Sequence, residues 1–351
     1  MICYSVADQH DAGKVFSIQF SLDRSIAPYE GGERVMKKRW MVSLVCIIVL
    51  AALIGFGVTF LKENDKPKVV IVVKAFDKDY WRIFEAGAEK AFADFDIDGK
   101  VIAPDSEYPP TKQNNILKNV LRQNPDALIV APVEPSTSIP ILMEYHKKHI
   151  PVLLADTEAE WKDQTAYIGT NHPTLGKTAG ELLGSMLQPG DQVALISGTA
   201  FGSIMSDRIK GAREALEDAG IEIATEQQGY DRFGNMKSVM ENILQTYPDI
   251  KGVFATTDAL ALAALKVIEE KGLKIPVIGT DGTMNMVKFI ESGRLSGTVS
   301  QNPYDIGYLS VQQALKAIKG EAVRKRIDSG VDIITEDNAR EKLDFLKKAV
   351  D

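Results

Sequence analysis

Two aspartates at matching positions are the residues of this 351-residue sequence that could act together on a ligand. Asp156 and Asp281 each follow the tripeptide Ile-Pro-Val, and each lies five residues after its proline. An ionised carboxylate accepts hydrogen bonds, so a pair of them can bind hydroxyl groups or take part in glycoside hydrolysis. Either aspartate alone could instead cap the turn between a strand and a helix.

The two aspartates belong to an internal duplication. The segment Gly-Ala-Glu-Lys-Ala-Phe at 87–92 recurs as Gly-Ala-Arg-Glu-Ala-Leu at 211–216, and a Pro-Asp pair stands at 125–126 and again at 248–249. The conserved order of these segments predicts two similar lobes. Ligands of open α/β sheets bind outside the carboxyl ends of the strands, so facing lobes would bring both carboxylates into one cleft.

Short apolar runs alternate with helical patterns from residue 68 onwards. Such runs are typical of parallel strands that helices cover on both faces. The predicted strands are Val69–Val73, Ala127–Val130, Val152–Leu154, Val193–Ile196, Val253–Ala255 and Val277–Ile278. Apolar residues between Phe84 and Phe95 recur at the spacing of one helix face. Repeated strand–helix units predict an α/β fold with doubly wound parallel sheets.

An uncharged segment from Met41 to Leu61 precedes this region and is long enough to span a bilayer as a helix. The basic residues at 37–39 place its N-terminal end in the cytoplasm, so everything after Leu61 is predicted to lie outside. We therefore predict a single-pass anchor in the cell membrane, with 36–66 forming anchor and linker. A cleaved signal peptide is the alternative.

Residues 1–35 lack a helical period and do not resemble a segment that precedes a membrane anchor. The residues Met-Lys-Lys-Arg at 36–39 are, in contrast, typical of the start of a bacterial export segment. We interpret 1–35 as a leader that precedes the true start at Met36. A short cytoplasmic tail is the other interpretation.

Composition and charge exclude several kinds of partner. The formal net charge of −7 disfavours binding to nucleic acid, which needs clustered Lys and Arg. Cys3 and Cys46 both precede the folded region, so that region can form neither a disulfide nor a cysteine metal site. The acids between Asp94 and Asp105 match the spacing of a calcium loop, but an acidic helix-to-strand turn fits them better. No metal or cofactor is predicted.

Further motifs accompany the two aspartates. They are Tyr80-Trp81, Arg208 before Lys210-Gly211, Thr257-Asp258, Gly279-Thr280-Asp281-Gly282, and Gln301 followed by Ile306-Gly307. In this combination the chain from about Lys68 to its end resembles the type I periplasmic binding proteins of the ribose and galactose class. The resemblance implies two similar lobes joined by a three-stranded hinge, with crossovers near Thr170, Gln301 and Gly330. It assigns 67–170 with 302–330 to an N-lobe and 171–301 with 331–351 to a C-lobe.

The resemblance also implies a sugar site in which aromatic rings cover the ring faces and polar side chains bind the hydroxyls. The expected ligand-binding residues are Tyr80, Trp81, Asp156, Arg208, Tyr230, Thr257, Asp281 and Gln301. Lys74 and Lys78 depart from the family pattern. They could favour an anionic ligand such as a sugar acid or sugar phosphate, or they could point into solvent.

We therefore expect a sugar-binding protein that serves the membrane permease of an ABC transporter. A membrane-anchored receptor that signals to a histidine kinase is the alternative. A regulator of the lactose-repressor type is less favoured, because the predicted membrane span occupies the place of its DNA-binding segment. A glycosidase is also less favoured, because no nucleophile motif accompanies the two aspartates, and the chain is not expected to be an enzyme.

Overall fold

The computed structural model describes residues 41, 44–45, 47–50, 66–76, 79–198, 203–229 and 233–350, with the backbone alone at 233–235. The chain divides into two compact units, Met1–Asp65 and Lys66–Asp351. In the first unit the described residues are helical. The leader 1–35 and most of the predicted span Met41–Leu61 lie outside the described residues. Among those that are described, no helix is both long and apolar enough to cross a bilayer.

The second unit contains two six-stranded sheets with the same construction. The first sheet has the order β2-β1-β3-β4-β5-β11, and all its strand pairs are parallel. Its strands are β1 Lys68–Val72, β2 Asp98–Ile102, β3 Ala127–Val130, β4 Val152–Ala155, β5 Ala166–Gly169 and β11 Arg326–Asp328.

The second sheet has the order β7-β6-β8-β9-β10-β12. Its pairs are parallel except that β12 runs antiparallel to β10. Its strands are β6 Gln192–Ser197, β7 Glu222–Gln228, β8 Ile250–Ala255, β9 Val277–Asp281, β10 Gly297–Ser300 and β12 Asp332–Ile334.

Ten helices accompany these strands within the described part of Lys66–Asp351, and the last of them follows β12. They are α1 Asp79–Phe95, α2 Thr111–Gln123, α3 Pro135–Lys147, α4 His172–Gly184, α5 Ile204–Asp218, α6 Phe233–Thr246, α7 Asp258–Glu270, α8 Met284–Glu291, α9 Pro303–Ile318 and α10 Glu336–Val350. Both faces of each sheet are buried. In β1, Val69 and Ile71 join one apolar cluster, whereas Val70 and Val72 join another on the opposite face. The predicted two-lobed fold of doubly wound parallel sheets is therefore confirmed.

The duplicated glycine has the same role in each lobe. A Cβ atom on Gly87 of α1 would lie 2.0 Å from the carbonyl oxygen of Tyr304 in α9. A Cβ atom on Gly211 of α5 would lie 2.2 Å from the carbonyl oxygen of Pro173 in α4. Two helix backbones thus approach so closely that only glycine fits between them, which explains why the same glycine-containing segment occurs twice.

The chain passes between the sheets three times: between β5 and β6, between β10 and β11, and between β11 and β12. The first sheet thus takes its strands from 68–169 and 326–328, and the second takes its strands from 192–300 and 332–334. The full lobe boundaries, including the helices and loops, stay a prediction.

The calcium-like spacing falls on a tight connection between α1, which ends at Phe95, and β2, which begins at Asp98. Asp94 forms an ion pair with Lys90, and Asp105 forms one with Lys112 at 2.8 Å. Within the described ranges, no group of three or more potential ligands is placed to hold a metal ion. Of these acids, Asp96 lies in the helix-to-strand turn, whereas Asp94 is in α1, Asp98 begins β2 and Asp105 follows β2.

Candidate functional site

The two matched aspartates stand at equivalent strand ends. Asp156 directly follows β4, and Asp281 is the last residue of β9. Their backbone φ angles are 60° and 109°, in the region that residues other than glycine seldom adopt. Backbone strain of this kind is found preferentially at binding sites, where the surrounding structure fixes the conformation. The duplication therefore extends from the glycines in the helices to the conformation of these two acids.

Asp156 is surrounded by donors. Tyr80 donates its hydroxyl to Oδ1 at 2.8 Å, while the ammonium of Lys74 and the hydroxyl of Thr157 donate to Oδ2 at 3.0 and 2.9 Å. Burial alone would raise the pKa of Asp156, but the charge of Lys74 and these hydrogen bonds together hold it below its ordinary value. Asp156 is thus an ionised acceptor whose position is fixed from three sides.

Lys74 follows β1 and lies at the site rather than in solvent. Its side chain is 20% exposed, and its Nζ atom lies 3.0 Å from Asp156 and 5.5 Å from the centroid of the Trp81 ring. Its charge is therefore already paired with a carboxylate. Lys78, the other unusual lysine, lies outside the described residues.

Asp281 is held by a buried arginine. Nη1 of Arg208 donates to Asp281 Oδ1 at 3.2 Å, and the same nitrogen donates to the hydroxyl of Thr280 at 2.8 Å and to the carbonyl of Thr256 at 2.7 Å. Gln301 donates its amide to the same carboxylate oxygen. Burial raises the pKa of Asp281 above its ordinary value, although Arg208 and Gln301 oppose the shift. Arg208 is 3% exposed, so it is a buried residue of the site and not a solvated helix residue.

Asp258 is a second buried acid beside Asp281. Its carboxylate accepts hydrogen bonds from the Thr283 backbone at 2.7 Å and from the Thr298 hydroxyl at 2.8 Å, and its own backbone N–H donates to Asp281 at 3.4 Å. Burial and the nearby charge of Asp281 raise the pKa of Asp258 well above its ordinary value. The negative charge of Asp281 therefore bears directly on the protonation of Asp258.

His172 joins this cluster, although the sequence alone did not predict it as a site residue. It is the first residue of α4, and its Nδ1 accepts a hydrogen bond from Nε of Arg208 at 3.4 Å. Burial and the positive charge of Arg208 lower its pKa to about 3. Its position directly after the predicted crossover at Thr170-Asn171 was the only indication in the sequence.

The remaining predicted residues lie in different surroundings. Trp81 is 3% exposed and packs within the apolar cluster of the first lobe, with its ring centroid 5.0 Å from that of Tyr80 and 5.7 Å from that of Phe84. Thr257 caps α7 by accepting a hydrogen bond from the backbone of Leu260 at 3.3 Å. Tyr230 lies outside the described residues.

The two clusters are close enough for their charges to interact. Burial raises the pKa of Tyr80 well above its ordinary value, and the charges of Asp156 and then Asp281 act in the same direction, while Arg208 opposes them. Tyr80 belongs to the first lobe, whereas Asp281 and Arg208 belong to the second sheet and its helices. Hydrogen bonds join Tyr80 to Asp156 in one cluster, and they join Arg208 and Gln301 to Asp281 in the other.

A cavity of about 700 Å³ adjoins the site. Gly282, Ser300 and Asn302, which neighbour Asp281 and Gln301 in the chain, form part of its wall. Most of the remaining wall comes from α9, β12 and α10, and Ile83 of α1 also contributes. None of the seven predicted ligand-binding residues that the structure describes lines this cavity. It is therefore a space beside the crossovers and not the space between the two carboxylates.

Comparison with known proteins agrees with this architecture. A family model described as a periplasmic binding protein domain matches residues 69–322. The ribose import binding protein RbsB of Haemophilus influenzae is 27% identical over 287 residues, which cover 82% of this chain and 97% of that protein. The protein of the same name in Bacillus subtilis is 31% identical over 238 residues, covering 68% and 77%.

Among solved structures, GanP, a glucose-galactose binding protein from Geobacillus stearothermophilus, superposes with a TM-score of 0.72 at 26% identity. The match covers 78% of this chain and 99% of GanP. Two parallel-sheet lobes with polar clusters at matched strand ends define a two-lobed binding protein. The chain belongs to the periplasmic binding protein family, and the resemblance to its type I members is confirmed.

Proposed function

We propose that the chain binds a neutral monosaccharide between its two lobes and delivers it to the membrane permease of an ABC transporter. The observation that carries this proposal is the pair of ion-paired carboxylates, Lys74–Asp156 and Arg208–Asp281, at equivalent strand ends of the two sheets. A sugar presents hydroxyls that donate and accept, and fixed carboxylates with cationic partners are suited to bind them. The relatives named above, which are ribose and glucose-galactose binding proteins, support the same ligand class.

The charges at the site favour a neutral ligand. Lys74 balances the charge of Asp156, and Arg208 balances that of Asp281. An anionic sugar would need a cation that is free to pair with it, whereas Lys74 already contacts Asp156. A sugar acid or sugar phosphate is therefore the second candidate.

A screen of ligands by thermal unfolding tests the proposal. Pentoses, hexoses, inositols, sugar acids and sugar phosphates are added separately to the purified chain. A ligand at a thousand times its Kd stabilises the folded state by about 4 kcal/mol. We expect neutral monosaccharides to raise the melting temperature. A shift with sugar acids or phosphates alone would contradict a neutral ligand, and a shift with amino acids alone would contradict a sugar.

Replacement of the buried arginine tests the site itself. Arg208→Met leaves Asp281 without its cationic partner, so we expect sugar binding to weaken by at least about 2 kcal/mol in isothermal titration. Arg213→Met is the matched control, because Arg213 lies on the same helix and pairs with Glu226 at the surface. Equal affinities of the two variants, with both folded, would place Arg208 outside the binding site.

The proposal includes the location and the partners of the chain. The segment Met41–Leu61 anchors the binding region on the outer side of the membrane. Periplasmic binding proteins bind their ligands in that location. The relatives are named as binding proteins, which supports a function in binding rather than catalysis. Signalling to a histidine kinase stays the alternative to transport, and a permease gene beside this gene would favour transport.

A further inference from the structure

Two buried polar atoms in the Arg208–Asp281 cluster lack a hydrogen-bond partner among the described residues. They are Nε2 of His172 and Oε1 of Gln301. The two side chains are 6% and 4% exposed. Each is joined to the cluster by its other polar atom, since His172 accepts from Arg208 and Gln301 donates to Asp281. A buried polar atom without a partner is unfavourable, so a ligand that supplies the partner gains affinity.

The contact with Arg208 determines which nitrogen of His172 carries the proton. Nδ1 accepts from Nε of Arg208 at 3.4 Å, so its lone pair is in use and the proton of the neutral ring lies on Nε2. The low pKa of about 3 keeps the ring neutral at ordinary pH. The unpaired Nε2–H group is therefore a donor, whereas the unpaired Oε1 of Gln301 is an acceptor.

The cluster thus has one unpaired donor, on His172, and one unpaired acceptor, on Gln301. A hydroxyl group can accept one hydrogen bond and donate another, so hydroxyls are suitable partners for both. We infer that His172 determines ligand specificity by donating its Nε2–H to one hydroxyl oxygen of the bound sugar. Its contact with Arg208 fixes the ring in the tautomer that can do so. This inference rests on the proposed function, because it deepens the description of the same site.

The experiment combines protein variants with ligands that lack one hydroxyl. Wild type, His172→Phe and His172→Gln are titrated with D-ribose, D-glucose and D-galactose and with their monodeoxy analogues. In the wild type, removal of the hydroxyl that His172 binds should weaken binding about tenfold to a hundredfold. In His172→Phe that discrimination should disappear for this hydroxyl alone, and His172→Gln, which keeps a donor, should restore part of it.

A second readout separates ligand contact from a structural role. In protein labelled with ¹⁵N-histidine, the His172 ring should show the tautomer protonated at Nε2, and the Nε2–H resonance should shift when sugar is added. A ring protonated at Nδ1, or an Nε2–H resonance that sugar leaves unchanged, would overturn the inference even if His172→Phe fails to fold.

Failure of the inference and failure of the proposed function give different results. If the wild type binds none of the sugars, the proposed function fails and the inference fails with it. If the wild type binds a sugar and folded His172→Phe discriminates among the deoxy analogues as the wild type does, only the inference fails. His172 then has a structural role beside Arg208.

Discussion

At the scale of single residues, each lobe presents one carboxylate with one cation of its own. Lys74 pairs with Asp156 at 3.0 Å, and Arg208 pairs with Asp281 at 3.2 Å. A carboxylate that is already paired loses less hydration when a sugar replaces the water around it. The pairing also fixes the direction in which its free lone pairs point, so both carboxylates are arranged for hydroxyls before a ligand arrives.

Replacement of Lys74 should reveal this pairing through the dependence of stability on pH. The pKa of Asp156 in the folded state lies below its ordinary value of 3.8. The ion pair therefore stabilises the fold fully at a pH above 3.8, and this stabilisation is lost as the pH falls through the folded-state pKa. Lys74→Met should therefore lower the free energy of unfolding by about 2 kcal/mol at pH 7. The difference from wild type should shrink below pH 4. Urea unfolding between pH 3 and pH 7 measures both effects, and a difference that stays constant over this range would contradict the pairing.

The residues themselves were sufficient to find the two aspartates, and the family resemblance added Tyr80, Arg208 and Gln301. The contacts of Lys74 and His172 could not be predicted. Asp156 and Asp281 could be recognised because the duplication places each five residues after the proline of an Ile-Pro-Val segment. Lys74 and Asp156 are 82 residues apart, and nothing local to Lys74 shows that its ammonium reaches a carboxylate. His172 is likewise 36 residues from Arg208. Contacts of this kind depend on how the strands are ordered in the sheet.

At the scale of secondary-structure elements, the strands found from the sequence are the apolar central ones. β3 and β4 are buried along their whole length, and their apolar runs are visible in the sequence. β7 at the sheet edge is mostly exposed or half-buried and contains mostly polar side chains, so no apolar run marks it. β10 is fully buried yet carries Thr298 and Ser300, because those hydroxyls form hydrogen bonds inside the lobe.

The close approach of the paired helices predicts which glycines tolerate a side chain. In Gly211→Ala the new methyl group would meet the Pro173 carbonyl at 2.2 Å, so the helices must separate. We expect the free energy of unfolding to fall by about 1–3 kcal/mol. Gly184→Ala is the control, because its methyl group would find its nearest neighbour at 3.4 Å, an ordinary contact. That change should be neutral or slightly stabilising.

Chemical unfolding of both glycine variants measures the two effects. Gly87→Ala should behave like Gly211→Ala, since it would bring a methyl group to 2.0 Å from the Tyr304 carbonyl in the other lobe. A loss of stability for Gly184→Ala as large as for Gly211→Ala would contradict close packing as the cause, because alanine is the better helix former and Gly184 has room for a methyl group.

At the scale of the whole molecule, the proposed anchor predicts the side of the membrane on which the binding region lies. Protease added to intact spheroplasts should digest the chain after Leu61, because the basic residues at 37–39 keep the N-terminal end inside. A variant without residues 36–65 should stay in the cytoplasm and resist the protease until the cells are lysed. Resistance of the full chain until lysis would reverse the predicted orientation.

The three passages between the sheets also determine the order in which the chain can fold as it emerges from the ribosome or the export channel. By residue 169 the chain contains five strands of the first sheet, but α9, whose backbone packs against Gly87 of α1, comes only at Pro303–Ile318. The edge strand β11 follows later still. One apolar face of the first lobe therefore stays uncovered while nearly the whole second lobe is synthesised. A product truncated before Pro303 lacks the last 49 residues and with them that cover, so we expect it to be prone to aggregation.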